Sequence, residues 1–467
     1  MWWLICSMLG GLAWADSKKD ASRWSTSGEI RASANSVDAF PIDALGTTTS
    51  QDPELRSRII AGGGLKIGTA SRFDAEIEWS HPQWTPRKAR FTTTQSWGKL
   101  SIGADTFGWG NGILAHDGRK QSHFGDPERG NVVGRISYGL RPSAALKPWS
   151  VFLAGDVVIR DENAELFEGD LARQLVLGSR WAEDDLEFGA LALVRWQRDR
   201  RDPAYPSEER AESVAIPFDV FVSKTFGSTT DTLQTIIRSE LAHVSGSTDR
   251  LWNGETGDGG GRIQSLGMST AVAITHNASG LTLDTEVAYA SGDNDTYDDV
   301  SRTFTMHSDH KLGLILFDEV LPQITSRSVE QVSDPGLIAQ PPSGLRFTEA
   351  KGGLTNAVVL NPVLVWQTEH PVSARLGWLQ AWTAGDWADV YQTAKRGGYN
   401  TTPGGQTPGA RDLGGELDAG LRYSPSLGQH ITLGLAVEGG IFFPGQALDG
   451  VMNDSVKTAR LRAAVQW

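Results

Sequence analysis

The sequence has almost no cysteine: Cys6 is the only one in 467 residues. It lies inside an apolar leader, so a processed chain would have neither a disulfide nor a thiolate metal site. Long apolar runs are also missing. Beyond the leader there is no stretch of about eighteen apolar residues, which excludes a helical membrane protein. Mean hydropathy is -0.28. A membrane β-barrel is not excluded, because its strands need only about ten residues with every second one apolar. Positive charge is not in excess either. The net charge of -13 argues against nucleic acid as a partner. No Gly-x-Ser-x-Gly run occurs, so a serine nucleophile elbow has no candidate.

Glycine and tryptophan are abundant, with 53 Gly and 17 Trp, and this suits tight turns and interfacial girdles. Residues 1–15 read as a signal peptide. The apolar run 4–12 is followed by Ala13, Trp14 and Ala15, a small-x-small cleavage pattern, although no Lys or Arg precedes it. Residues 16–467 then form one domain. The last strand places Ala459, Leu461, Ala463, Val465 and Trp467 on one face. Arg460, Arg462, Ala464 and Gln466 fall on the other, since side chains alternate with period two. An apolar face ending in tryptophan suits lipid, and two guanidiniums suit a wet lumen. Such a strand resembles the assembly signal of outer-membrane barrels, which makes the barrel-assembly machinery an expected partner.

Alternating segments recur along the chain. Ile30, Ala32 and Ala34 oppose Glu29, Arg31 and Ser33. Leu55, Ser57 and Ile59 oppose Arg56 and Arg58. Phe73, Ala75, Ile77 and Trp79 oppose Asp74, Glu76 and Glu78, and a fourth segment surrounds Leu100 and Ile102. About seventeen such segments are found. Termini that meet in the periplasm require an even number. The expected fold is therefore all-β: a single transmembrane antiparallel barrel of about 18 strands, with 16 as the alternative, and with long inward or extracellular loops. Two connections, 106–130 and 291–355, are too long for turns and read as functional or plug-like. Polar surface loops are expected at 199–213, 245–261 and 385–414. The continuous apolar residues of 312–328, broken at Pro322, suggest one short helix lying against the barrel, inside the lumen or at its mouth, with a conventional strand as the alternative.

Charge concentrates at inward positions. On the lipid face each charge would cost on the order of 2–4 kcal/mol. The expected pore-lining residues are Glu29, Arg31, Arg56, Arg58, Asp74, Glu76, Glu78, Arg460 and Arg462. Arg180, Glu187, Arg195, Arg238, Glu240, Arg375, Glu416, Asp418 and Arg422 continue the pattern. Five of the arginines gather where the last strand would close on the first, and form a stripe suited to anionic solutes. The alternative is that lumen charges merely pair with one another.

The run Phe107-Gly-Trp-Gly-Asn-Gly-Ile-Leu-Ala-His-Asp-Gly118 resembles the Trp-Gly-x-Gly-(small apolar)-Leu-Ala-x-x-Gly run of alginate-export-like outer-membrane barrels. It is also similar to an uncharacterised barrel family of the myxobacteria and their relatives. The match continues through Glu286 to Asp293, Phe304, His307, Asp309 and His310, Gly415 to Tyr423, and Phe442 to Gly445. The resemblance implies an 18-stranded monomeric channel, with a loop folded into the pore, that passes anionic polysaccharide or other solutes. Trp109, Asn111, His116 and Asp117 are then pore-loop residues.

His116 beside Asp117 invites a catalytic reading, but a sequence neighbour is not a hydrogen-bond partner. A loop-anchoring role is expected, and no enzyme. Asp293, Asp295, Asp298 and Asp299 form a weak calcium candidate, because hard oxygen ligands suit that ion. A solvated acidic loop is the plainer reading, and no cofactor is expected. Function is expected to be that of an outer-membrane channel. Its partners would be membrane lipid and a small or polymeric anionic solute. The alternative is a non-transporting structural, adhesin or hydrolase barrel plugged by its loops.

Overall fold

The computed structural model describes residues 23–80, 83–96, 98–140, 148–200, 211–250, 261–296, 298–334, 336–338 and 347–467. The leader 1–15 lies outside the described residues.

Eighteen long strands close into one antiparallel barrel. In chain order they are β1 (Trp24–Val37), β2 (Glu54–Ile67), β3 (Ser71–Ser80), β4 (Gln83–Gln95), β5 (Gly98–Phe107), β6 (Asn131–Leu140), β7 (Trp149–Arg160), β8 (Leu171–Glu183) and β9 (Leu186–Arg198). The second half comprises β10 (Glu212–Phe226), β11 (Leu233–Thr248), β12 (Gly261–His276), β13 (Leu281–Ala290), β15 (Ala357–Gln367), β16 (Val372–Thr383), β17 (Asp412–Tyr423), β18 (Thr432–Pro444) and β19 (Val456–Gln466). The two-residue β14 (Val300–Ser301) pairs in parallel with Arg262 and Ile263 of β12, beyond the point where β13 ends. Closure runs from Glu29 opposite Gln466 to Val37 opposite Thr458. Gly28 and Trp467 extend the ladder by exchanging backbone hydrogen bonds at 2.9 and 3.1 Å. Both ends of the described chain lie at the end of the barrel with short turns, such as 68–70, 184–185 and 277–280. That end faces the periplasm in barrels of this kind.

Outward residues are large and apolar: Ile102, Ile136, Leu153, Leu376, Val437 and Leu461 are 47%, 58%, 58%, 51%, 56% and 57% exposed without lipid. Aromatics flank this belt. Trp149 packs edge-on to Trp181 at 5.2 Å near the short turns, and Trp79 and Trp84 pair at 6.2 Å near the other end. A closed barrel with an apolar belt between aromatic girdles is seated in the outer membrane.

Three expectations need correction. The segment around Leu100 belongs to the fifth strand, because alternation misses β4. A bulge lies where Glu76 faces Lys88 and Ile77 faces Pro86. Arg87 and Lys88 in succession therefore reach carboxylates of the lumen wall, which breaks the period of two. Strand structure also extends into all three expected surface loops, since β10 begins at Glu212, β11 runs to Thr248 and β17 begins at Asp412. The helix occupies Leu316–Val332 rather than 312–328. A π turn (Leu316–Val320) leads into α1 (Leu321–Val332). Pro322 sits in the first turn of α1, where its missing N–H is tolerated, so it starts this helix rather than breaking it. A second helix, α2 (Val390–Lys395), lies in the 384–411 connection.

Candidate functional site: the loop-filled lumen

The glycine-rich run after β5 turns inward instead of outward. Gly112 N–H donates to the Trp109 carbonyl at 3.0 Å, and Trp109 N–H to that of Ala115 at 2.9 Å. The Trp109 ring is buried edge-on against Phe221 at 5.2 Å. Gly110 has φ +53°, and a Cβ there would come within 2.6 Å of the Glu240 carboxylate. Glycine lets the backbone close in, so that Glu240 accepts the N–H groups of Asn111 and, at 3.0 Å, Gly112. The 291–356 loop is fastened in the same manner. Gly313, at φ +77°, lies against Glu416. Glu416 accepts from Leu314, from Ile315 at 2.8 Å and from Leu316 at 2.9 Å. Charge-assisted bonds from a carboxylate to several amides are the strong kind.

A third carboxylate ties the loops together. Asp309 accepts from the backbone N–H of Glu128, Arg129 and Gly130, at 2.6 Å from Glu128 and 2.7 Å from Gly130. His116 Nδ1 lies 3.8 Å from Asp309 and accepts from Gly118 N–H at 3.0 Å. Burial pulls His116 down to about 4, against the opposing pull of Asp309. The ring is therefore neutral near pH 7, as an accepting nitrogen requires. Asp117 does not bond to His116. Its side chain accepts from Arg119 N–H at 2.9 Å, and its carbonyl from Arg87 at 2.7 Å.

The tip of the 108–130 loop lies on the arginine wall. Arg31 and Arg58 both donate to the Pro127 carbonyl at 3.1 Å. Asp126 contacts Arg462 and lies 3.7 Å from Arg31, and Glu128 contacts Arg56. Arg460 instead meets Asp318 of the helical loop at 3.1 Å. The wall supplies carboxylates too. Glu29 pairs with Arg31 at 2.6 Å, and Glu78 with Arg58 at 3.1 Å, Arg87 at 2.7 Å and Arg160 at 3.5 Å. Glu76 pairs with Arg87 at 2.9 Å, whereas Asp74 belongs to a separate group with Arg72 and Arg90. Sequence reasoning placed the wall charges inward but missed Arg87, Arg160, Asp126, Glu128 and Asp318. All but Arg160 lie in the unseen strand or in the loops. Arg160 ends a strand that was expected, and alternation alone gave it no mark.

The lumen is divided. On the β13–β18 side the loops pack as an apolar core: Ile113, Phe124, Leu314, Phe317 and Ile324 meet Val359, Leu379 and Phe442. On the β1–β5 side a cavity of about 520 Å³ opens below the loop, toward the short turns. Its charged lining is Lys66, Arg72, Lys88, Arg90, Lys99 and Arg119 against Asp74 and Glu76, with serines and threonines between.

The calcium candidate does not assemble. Asp293 and Asp298 pair with Arg302 at 3.3 and 2.7 Å, and Asp299 with Arg262 at 3.1 Å. Asp293 and Asp298 share the one Arg302 guanidinium, and Asp299 is held by a different arginine. Among the described residues no group of three or more His, Cys, Asp and Glu is arranged to hold a metal. His307 meets Asn131 at 2.7 Å and His310 meets Glu286 at 2.8 Å, away from those aspartates.

No family model matches the chain, and no curated protein does. Solved structures do. The chain is similar to OccK11 (OpdR) of Pseudomonas aeruginosa at 11% identity and TM-score 0.51, covering 95% of each chain. OpdQ of the same organism gives 9% identity and TM-score 0.52, over 95% of this chain and 97% of that one. OccD3 (OpdP) gives 11% and 0.52, over 95% and 91%. At such identities the likeness is one of fold, and it agrees with the barrel described above: the protein is an 18-stranded outer-membrane β-barrel.

Proposed function

We propose that the protein is an outer-membrane channel for anionic solutes, and that its water path follows the β1–β5 wall. The observation that carries this reading is the cavity at the short-turn mouth, where six cationic side chains face two carboxylates. Such a mouth concentrates anions over a reach of about 8–10 Å. The arginine stripe deeper in the lumen supports the same solute class, because guanidinium forks match carboxylates. The resemblance of residues 107–118 to alginate-export-like barrels supports a polymeric anion as one such solute. On this reading the channel works as a monomer, and the β19 strand ending in Trp467 is what the assembly machinery engages.

A second reading has its own support. The apolar packing of both loops inside the lumen favours a barrel that is plugged and transports nothing. Planar-bilayer recording separates the two. The test compares wild type with a variant in which residues 109–129 are replaced by a short glycine-serine linker. A channel gives anion-selective steps that grow when the loop is removed. Silence from both proteins, each heat-modifiable on gels, would leave the plugged barrel as the answer.

A further inference from the structure

Among the described residues, the arginines of the barrel strands are answered by a side-chain hydrogen bond or an ion pair, with two exceptions. The exceptions are Arg173 on β8 and Arg198 on β9, and both face away from the lumen. On β8 Ala172, Gln174 and Val176 are buried, whereas Arg173, Leu175 and Leu177 are exposed. On β9 Gln197 is buried, whereas Trp196 and Arg198 are exposed. Arg173 stands opposite Trp196, and Arg198 opposite Leu171. The two arginines are therefore diagonal neighbours on one face, with backbones about 7–8 Å apart, so both side chains can reach one small anion. The short turn 184–185 joins these strands at the periplasmic end, which puts both arginines toward the outer face. Arg173 lies eight residues from Trp181 of the lower girdle, about 20 Å along the membrane normal for a tilted strand. The apolar band is about 25 Å tall, so the pair sits at its upper edge, beside Trp196 at headgroup depth. Glu212 faces Arg198 from β10 without forming an ion pair with it.

We infer that Arg173 and Arg198 form an outward binding site for the phosphate of an outer-leaflet lipid. The two guanidiniums take the phosphate oxygens, a pairing that their planar forks match. Trp196 lies against the group that carries the phosphate, and Leu175 and Leu177 continue below as the apolar track of an acyl chain. The lipid brings the counter-charge that this stretch of wall lacks. Inorganic phosphate offers the same anion but no chain to lay along the leucines, so the lipid is the occupant. Glu212 on the far side of Arg198 keeps the phosphate toward Arg173. The site lies on the outer surface of the wall and holds whether the lumen conducts or is plugged.

The test is native mass spectrometry of the full barrel in detergent, titrated with a bis-phosphorylated lipid A or with the same lipid stripped of both phosphates. It compares wild type, R173Q, R198Q, the double variant R173Q/R198Q and R262Q. Arg262 is also exposed, on β12, but is already paired with Asp299, so R262Q removes an equal charge from elsewhere on the wall. Wild type should hold one phosphorylated lipid more tightly than the stripped one. R173Q and R198Q should each weaken that binding about tenfold, the loss of a hydrogen bond to a charged group. The double variant should treat the two lipids alike, and R262Q should bind as wild type does. Equal binding of the phosphorylated lipid by wild type and the double variant would overturn the site. An equal loss in R262Q would overturn it too, because rim charge in general would then be responsible. Inorganic phosphate that displaces the lipid at matched concentration would show a site for the free anion and overturn the lipid assignment. If the double variant does not reach the heat-modifiable form, the single variants decide, and unchanged affinity in both overturns the inference.

Discussion

Glu416 on β17 accepts the backbone N–H of Ile315 at 2.8 Å, across 101 residues of sequence. Its two oxygens also take the N–H groups of Leu314 and Leu316, the donors at the start of the helical turn. One wall carboxylate thus satisfies amides that the first helical turn would leave orphaned. Glu416→Gln keeps the volume and removes the charge. The plug should lose about 1.5–3 kcal/mol of local stability, the range for hydrogen bonds to charged groups. Amide exchange at residues 314–316 should speed up while the barrel stays heat-modifiable on gels. Unchanged protection would mean that apolar packing alone holds the helix.

Arg87 is fully buried and joins Glu76, Glu78 and the Asp117 carbonyl. Arg87→Met removes one partner from a buried network and leaves carboxylates uncompensated. The expected loss is about 3–5 kcal/mol, read as a lower urea midpoint. Arg87→Lys should recover only part of it, because an ammonium cannot reproduce the fork.

His116 sets a pH dependence on the loop. Burial disfavours the imidazolium, and the ring is pulled from 6.5 to about 4. The group is neutral in the fold, and the unfolded chain binds the proton more readily. Its contribution is therefore fully present above pH 6.5 and is lost as pH falls toward 4, on the order of 3 kcal/mol. Limited proteolysis at the 108–130 loop should quicken between pH 7 and pH 4.5. In His116→Asn, which keeps an acceptor for Gly118 N–H, that acceleration should be much weaker. A variant as acid-sensitive as wild type would place the titration elsewhere.

Trp467 closes the seam over Gly28, where a Cβ would lie 2.3 Å from its ring. Deleting Trp467 should slow assembly into the heat-modifiable form more than deleting residues 400–409 of a surface connection. Gly28→Val should do the same without shortening the chain. Equal folding yields for all three would mean that the ring contributes nothing to closure.

The wall of this barrel was legible because lipid forbids charge on one face, so alternation had to show. It failed where local geometry departs from the rule, at the bulge that turns Arg87 and Lys88 to the same wall. Inward charges such as Glu240 and Glu416 were also legible as inward. Their work was not, because it depends on glycine-bearing loops whose path no periodicity encodes. The seam arginines illustrate the same limit. Their face could be read, but the carboxylates that occupy it come from far along the chain: Asp126 reaches Arg462 of the last strand. Loop destinations are tertiary facts, fixed by contacts that alternate with nothing.

The 108–130 loop is synthesised after the fifth strand, yet its fastenings come later. Glu240 lies 128 residues downstream of Gly112, and Glu438 lies 313 downstream of Gly125. Contacts of such sequence separation form last, since long loops must close before they can form. A nascent barrel would therefore hold a wet, charged interior until β17 to β19 arrive, and only then could its loops settle. The seam that shuts the wall also delivers Arg460, Arg462 and Glu438 to the loops, so closure and filling become one late event in the life of each molecule.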